Sequence, residues 1–478
     1  MATIIEQAPL HTTLPVGQDV IFTVSNNIIV ANQTKVKFVA EVHISSELTP
    51  NLSNTTDIIG TFKTTPNNAG VGMFNFRPII ESYVKADNMA KNGSAYKQQE
   101  TTDSKRHPIH LVDKYSRNTN CLRYLAIQFK VQYVDASGTV ITAQAANTGN
   151  YTIFNGYLKY TDVLDLGINS TANDFGFDLD SYKLDGITKN FLTNASTTQY
   201  ANIEDYGTVA VLMLNPLSNA QTAPLGPFNS GFQNIKFEYF EADGTSIDSE
   251  TIRLDDENTG GFTFANRSLA SNMLNFAGVY PANLRGWSTK FNTNINDISY
   301  YTFKAQKVGS IVLPASETYR ININCPTLKG YEPIRLCWLN QWGAWDYYTF
   351  TMKSTRMIST KGSTYNQLEG TWNEAAYRID SFKGGKKAFR VNATEKISMN
   401  TDFVNEAESE WFEELINSPE VYILKGYQTD ITTSALNQYV TPVRLTTSSY
   451  TRKTVANDKL MQYTFEVEKS KTLRTQSI

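Results

Sequence analysis

Apolar and polar side chains alternate every two residues in several separate stretches of this chain, a spacing that suits a strand with one face in a core and the other in water. Val36, Phe38, Ala40, Val42 and Ile44 alternate with Lys37, Glu41 and His43. Leu125, Ile127, Phe129, Val131 and Tyr133 alternate with Gln128, Lys130 and Gln132. The pattern returns at Ile235, Phe237 and Tyr239 around Lys236 and Glu238, and at Met461, Tyr463, Phe465 and Val467 around Gln462, Thr464 and Glu466. Half-buried antiparallel strands are therefore expected along the whole sequence. The 26 Tyr and 25 Phe residues strengthen that expectation, because both favour a pleated surface. The expected fold class is all-β, mainly antiparallel.

Turn chemistry divides the strands. Asn155-Gly156, between 151–154 and 157–160, predicts a tight hairpin, and Asp243-Gly244 predicts another. The stretch KVQYVDASGT (130–139) recurs as KFEYFEADGT (236–245), a hint of two related β domains that a shared hairpin chemistry could also produce. Polar stretches at 87–106 and 215–228 read as loops within domains, and 169–201 as a linker or insertion. At 478 residues the chain has room for several domains. The expected division is a β-sandwich at 1–168, a second at 169–330, and a β-rich domain at 331–478 bearing one helix near 405–417. For that helix Asn405 supplies the cap, Glu406, Glu408 and Glu410 favour the positive end of the dipole, and Pro419 ends it. Trp411 with Leu415, and Phe412 with Ile416, form apolar pairs that should lie on a sheet.

Charge narrows the partners. With 43 basic and 46 acidic residues the net charge is -3, which leaves no overall attraction to phosphate backbones, so nucleic acid is not expected as the main partner. No stretch of about 18 consecutive apolar residues occurs, and the opening MATIIEQ lacks a secretory pattern, so a soluble chain made in a reducing cytoplasm is expected. Cys121, Cys325 and Cys337 are too few and too scattered for a disulfide framework or a metal clip.

Candidate chemistry is sparse. His107-Pro108-Ile109-His110 with Asp113 offers three donors, but Pro108 imposes an extended loop and a surface loop is the favoured reading. Asp178, Asp180 and Asp185-Gly186 miss calcium-loop spacing, because Tyr182 occupies the fifth position and no twelfth-position Glu follows. Asp255-Asp256-Glu257 and the helix glutamates read as solvated faces, and Lys383-Gly384-Gly385-Lys386-Lys387 as an exposed glycine turn. No GxSxG, P-loop or GxGxxG is present. Two carboxylates of a glycosidase could hide without a sequence signature. A non-enzymatic chain with no catalytic residues, no cofactor and no bound metal is expected.

The densest aromatic segment is RLCWLNQWGAWDYYTF at 335–350, which holds half of the six tryptophans. A hairpin turning at Gly343 would present Trp338, Trp342, Trp345, Tyr347 and Tyr348 as a core, a subunit interface or, as the minority reading, a glycan contact. Trp338 is expected in the packing, and Trp342 and Trp345, nearer the turn, as the more exposed pair.

WLNQWGAWDYYTF, WFEELINSPEVYIL and VTPVRLTTSSYTRKTVANDKLMQYTFEVEKS together resemble a family of structural proteins from phages of Bacteroidota, including crAss-like and related marine phages. The likeness covers 335–470, with a looser echo in FNFRPIIESYVKADN. It implies a bacteriophage virion subunit made in the host cytoplasm, a ring-forming tail, collar or baseplate component. Its partners would be further copies of itself and other virion proteins. The alternative is a receptor-binding or carbohydrate-binding virion protein that uses the aromatic hairpin.

Overall fold

A computed structural model describes residues 3–9, 11–46, 50, 52, 57–86, 107–112, 114–117, 120–159, 179–182, 184–212, 234–253, 274–308, 311–324, 330–425, 439–452 and 461–477. Strands account for 50% of the described residues and helix for 11%, in several antiparallel sheets, as the alternation requires. Contacts divide the chain into two compact units. One holds Met1–Asn324 with Leu339–Asp346, and the other holds Cys325–Trp338, Tyr347–Gly426 and Ala435–Ile478. The boundary expected near 168 lies outside the described residues.

The first unit opens with β1 (Ile4–Gln7), β2 (Thr13–Pro15), β3 (Ile21–Ser25), β4 (Thr34–Ser45), β5 (Ile58–Thr64) and β6 (Val71–Asn75). It continues with β7 (Tyr115–Arg117), β8 (Leu122–Val134), β9 (Val140–Asn147) and β10 (Tyr151–Phe154). One sheet runs β2-β10-β8-β4-β5 with β9 on β8, and a smaller one runs β1-β3-β6. Phe22 and Phe74 from the smaller sheet pack with Phe38, Phe129 and Tyr151 from the larger, which makes a sandwich core. His43, assigned to water by alternation, is fully buried opposite Ala126, so the outer face is covered at this end as well.

The remainder of this unit holds β11 (Thr198–Asn202), β12 (Thr208–Leu212), β13 (Asn234–Phe240), β14 (Ser246–Arg253), β15 (Leu274–Gly278), β16 (Tyr300–Val308), β17 (Val312–Pro314) and β18 (Tyr319–Asn324). Its larger sheet runs β11-β18-β16-β13-β14 with β17 on β16, and its smaller one β12-β15-β7. The strand order is that of the first sandwich. Each large sheet has a parallel edge pair (β2 with β10, β11 with β18) followed by three antiparallel strands. Each smaller sheet has an antiparallel pair (β3 with β6, β12 with β15), and a short proline-started helix follows, Arg77–Ile80 or Pro281–Trp287. By this order β8 corresponds to β16, and β13 to β4. The ten-residue sequence match instead joins the β8–β9 hairpin to the β13–β14 hairpin, which are not counterparts. Those two stretches share a turn: Gly138 and Gly244 sit at φ 84° and 90°, and Asp135 and Glu241 each donate a backbone N–H to a threonine carbonyl four residues on. Repetition of the domain is thus visible in topology, and the sequence match reflects turn chemistry.

The hairpin expected at Asn155-Gly156 does not form. Residues 157–159 are not strand, and Gly156 does not take a positive φ; a Cβ there would meet the Phe154 ring at 2.5 Å. The Tyr157 N–H donates to the Gln341 carbonyl instead, at 2.7 Å.

The second unit is built on β19 (Ile334–Leu339), β20 (Trp345–Phe350), β21 (Ser354–Gln367), β22 (Gly385–Asn400), β23 (Val421–Leu424), β24 (Val440–Leu445), β25 (Thr464–Lys469) and β26 (Arg474–Ser477). They form one sheet ordered β20-β19-β23-β24-β25-β22-β21, with β26 on β22. One helix, Glu406–Asn417, starts where expected: the Asn405 side chain accepts from the Glu408 N–H, and the Glu408 carboxylate accepts in return from the Asn405 N–H. Its buried Trp411, Phe412 and Leu415 face the sheet, with Phe412 5.3 Å from the Phe465 ring.

Candidate functional site

The aromatic hairpin turns as the sequence asked. Gly343 has φ 71°, and the Asn340 side-chain oxygen accepts from the N–H groups of Trp342 and Ala344, both at 3.0 Å. The Asn340 amide donates to the Leu192 carbonyl and to Asp346, which also accepts from Thr193 at 2.7 Å. A Cβ at Gly343 would lie 2.1 Å from the Asn155 carbonyl oxygen, so only glycine fits.

The tip tryptophans, expected to be exposed, are not. Trp342 is 1% and Trp345 2% exposed; Tyr182 packs on Trp342 at 4.5 Å, and His107 on Trp345 at 5.3 Å. Proximity to a turn argued for solvent, but the turn itself is buried through its hydrogen bonds. Trp338 is fully buried against Trp411 at 4.9 Å. Tyr347 lies beneath the Arg335 guanidinium, and half-buried Tyr348 meets Phe412 edge-on at 5.0 Å. Burial pushes the Tyr348 phenol and the Cys337 thiol up, so neither ionises near neutrality. A sugar would need ring faces in water, and four of the five proposed contact residues offer none.

The other candidates come apart in the same way. His107 and His110 lie 6.3 Å apart ring to ring, and desolvation pushes His107 down to about 4. Asp113, Asp178, Cys325 and 255–257 lie outside the described residues, while Asp180–Tyr182 is a single 3-10 turn. Among the described residues no three of His, Cys, Asp or Glu gather as metal ligands, and no helix is long and apolar enough to cross a membrane.

The feature that sequence reasoning missed is the hairpin of β21 and β22. These strands pair from Ser354–Met399 to Gln367–Gly385 with one irregularity beside Thr364, a span of roughly 46 Å at about 3.3 Å per residue. β25 covers only Lys396–Asn400 and β26 only Arg390–Ala393, while β21 is a sheet edge along its length with no buried residue. At its end, residues 368–384 fold back once more. A bridge joins Gly370 to Ile379, the Thr371 N–H donates to the Arg378 carbonyl, and Gly384 and Gly385 turn at φ 98° and 74°.

This arm leaves large apolar side chains in water. Trp372 is 80%, Ile379 74% and Phe382 72% exposed, and Leu368, Tyr377 and Phe389 are also exposed. Met357 and Ile358 add to them along β21. At roughly 200 Å² per large side chain, these eight residues, each more than half exposed and spread from the arm's end to Met357 and Ile358 near its base, leave on the order of 1,000 Å² of apolar side-chain surface in water. The glycine turn with its lysines was legible, but the apolar residues just before it have no period that separates them from core. At the arm's base Glu395 is buried between Lys469 at 2.6 Å and Arg356 at 2.8 Å. Those two cations, Lys469 foremost, hold its carboxyl below the usual range.

No family model and no curated protein matches the chain. Among solved structures it is similar to Escherichia coli alpha-2-macroglobulin in two forms. The native form has 8% identity and a TM-score of 0.18 over 83% of this chain, and the trypsin-activated form 8% and 0.18 over 84%. The chain spans 22% and 23% of those proteins' lengths, and a superposition this loose carries no argument about fold or function.

Proposed function

We propose that this chain is a non-enzymatic structural subunit of a bacteriophage virion, a ring-forming tail, collar or baseplate component that other copies and other virion proteins complete. The observation that carries the assembly part is the β21–β22 arm, whose apolar end and long open edge are costly in an isolated molecule and useful in one with neighbours. The virion part rests on the resemblance of 335–470 to phage structural proteins. The lack of any nucleophile motif supports the non-enzymatic part. Burial of Trp338, Trp342, Trp345 and Tyr347 within the chain's own core disfavours both a subunit contact and the carbohydrate-binding alternative at that hairpin, and leaves assembly to the arm. Negative-stain electron microscopy of the purified full chain, across a concentration series and beside a glycan array, tests the reading. Rings or regular oligomers with no glycan signal are expected; a dispersed monomer that binds defined glycans would replace it.

A further inference from the structure

We infer that the β21–β22 arm docks onto the body of a second copy of this chain, head to tail, an inference that rests on the assembly reading above. Residues 354–400 carry eight basic and four acidic side chains, a surplus of four positive charges. The whole chain stands at -3, so everything outside the arm carries seven negative charges. Some of the arm's charge is spent internally, in the pairs of Arg378 with Glu374 and Lys383 with Asp380. Lys361, Lys386, Lys387 and Arg390 pair with no carboxylate among the described residues. Two arms laid against each other would bring like charges together, which disfavours a symmetric arm-to-arm dimer. An arm on an acidic body satisfies both charges, and because donor and acceptor surfaces differ the contact repeats around an axis until it closes.

The exposed apolar area agrees in size. The six exposed residues at the arm's end, Leu368, Trp372, Tyr377, Ile379, Phe382 and Phe389, present roughly 800 Å², about what each partner contributes to a stable interface. Trp372, Tyr377 and Phe382 are of the residue types that anchor such contacts. The fourteen-residue edge of β21 adds outward backbone groups that a neighbouring strand can pair. A basic, aromatic-tipped hairpin could also meet an anionic membrane, but the seven negative charges on the rest of the chain would oppose that approach.

The test uses full chains labelled with nitrogen-14 and nitrogen-15, mixed in equal amounts and joined by a zero-length carbodiimide cross-linker, which couples lysine amines to carboxylates. Mixed-isotope cross-links from Lys383, Lys386 or Lys387 to acidic residues outside 354–400 are expected. The double variant Trp372→Ser/Phe382→Ser should weaken self-association in sedimentation at least about tenfold, with an unchanged melting temperature, since anchor residues dominate such contacts. If the chain assembles but these lysines link only within their own copy or arm to arm, or the double variant assembles like the wild type, the inference fails and the assembly reading stands. If the chain stays monomeric at every concentration and the arm instead holds phosphatidylglycerol vesicles, both fall.

Discussion

Trp338→Ala removes the ring on which the second unit's helix is seated. The side chain is fully buried between β19 and the helix, against Trp411 and Phe412. About 200 Å² of ring surface at about 25 cal/mol per Å² stabilises the fold by ~5 kcal/mol. The indole N–H meets no acceptor among the described residues, which costs ~1–3 kcal/mol and leaves ~3 kcal/mol to be lost. That is the lower end of the range for truncating a buried tryptophan, about 3–5 kcal/mol. The missing acceptor gives a second handle: Trp338→Phe keeps most of the ring and deletes the unsatisfied N–H, so it should cost less than ~1.5 kcal/mol. Because the chain has two units, a single global transition would blur the effect. Hydrogen exchange under rising denaturant, read on peptides from β19, β23 and the helix, isolates it. An alanine variant within ~0.5 kcal/mol of wild type, or a phenylalanine variant as damaged as alanine, would refute this account of the packing.

Gly343→Ala should cost more than ~2 kcal/mol, from the positive φ and the 2.1 Å approach to the Asn155 carbonyl, and should appear as a lowered melting temperature or insoluble protein. Glu395→Gln should cost about 1 kcal/mol at pH 7, discounted because Arg356 and Lys469 are partly solvated. Its folded-state pKa is depressed, so this stabilisation is full above the ordinary carboxylate range and fades as pH falls through the folded value; the wild-type advantage over Glu395→Gln in denaturant titrations should shrink accordingly. His107, held by desolvation at about 4 against an ordinary 6.5, acts in the same direction for a different reason: the unfolded chain takes up a proton first, so stability should drop by up to ~3 kcal/mol between pH 6.5 and 4, and His107→Gln should flatten that slope.

The fold was legible where neighbours in sequence decide the outcome. Alternation placed β13 and β25, and the Asn405 cap placed the helix to within a residue. It failed where distant chain decides: Gly156 looked like a turn glycine but is small because the Phe154 ring lies on it, and His43 looked solvated but is covered. The tryptophan hairpin was found and its tip misjudged, since the partners that bury it, Tyr182 and His107, lie more than 150 residues away. The arm was invisible for a physical reason. Its apolar residues are of the same types as core residues, and only the folded structure reveals that they stay exposed.

The proposed virion role is tested most directly by quantitative mass spectrometry of purified virus particles from a culture in which this chain is expressed. The chain is expected inside the particle, at a fixed copy number per virion that is a multiple of a ring symmetry and persists through density-gradient purification. Its absence from purified particles, with the protein abundant in the infected lysate, would contradict the account.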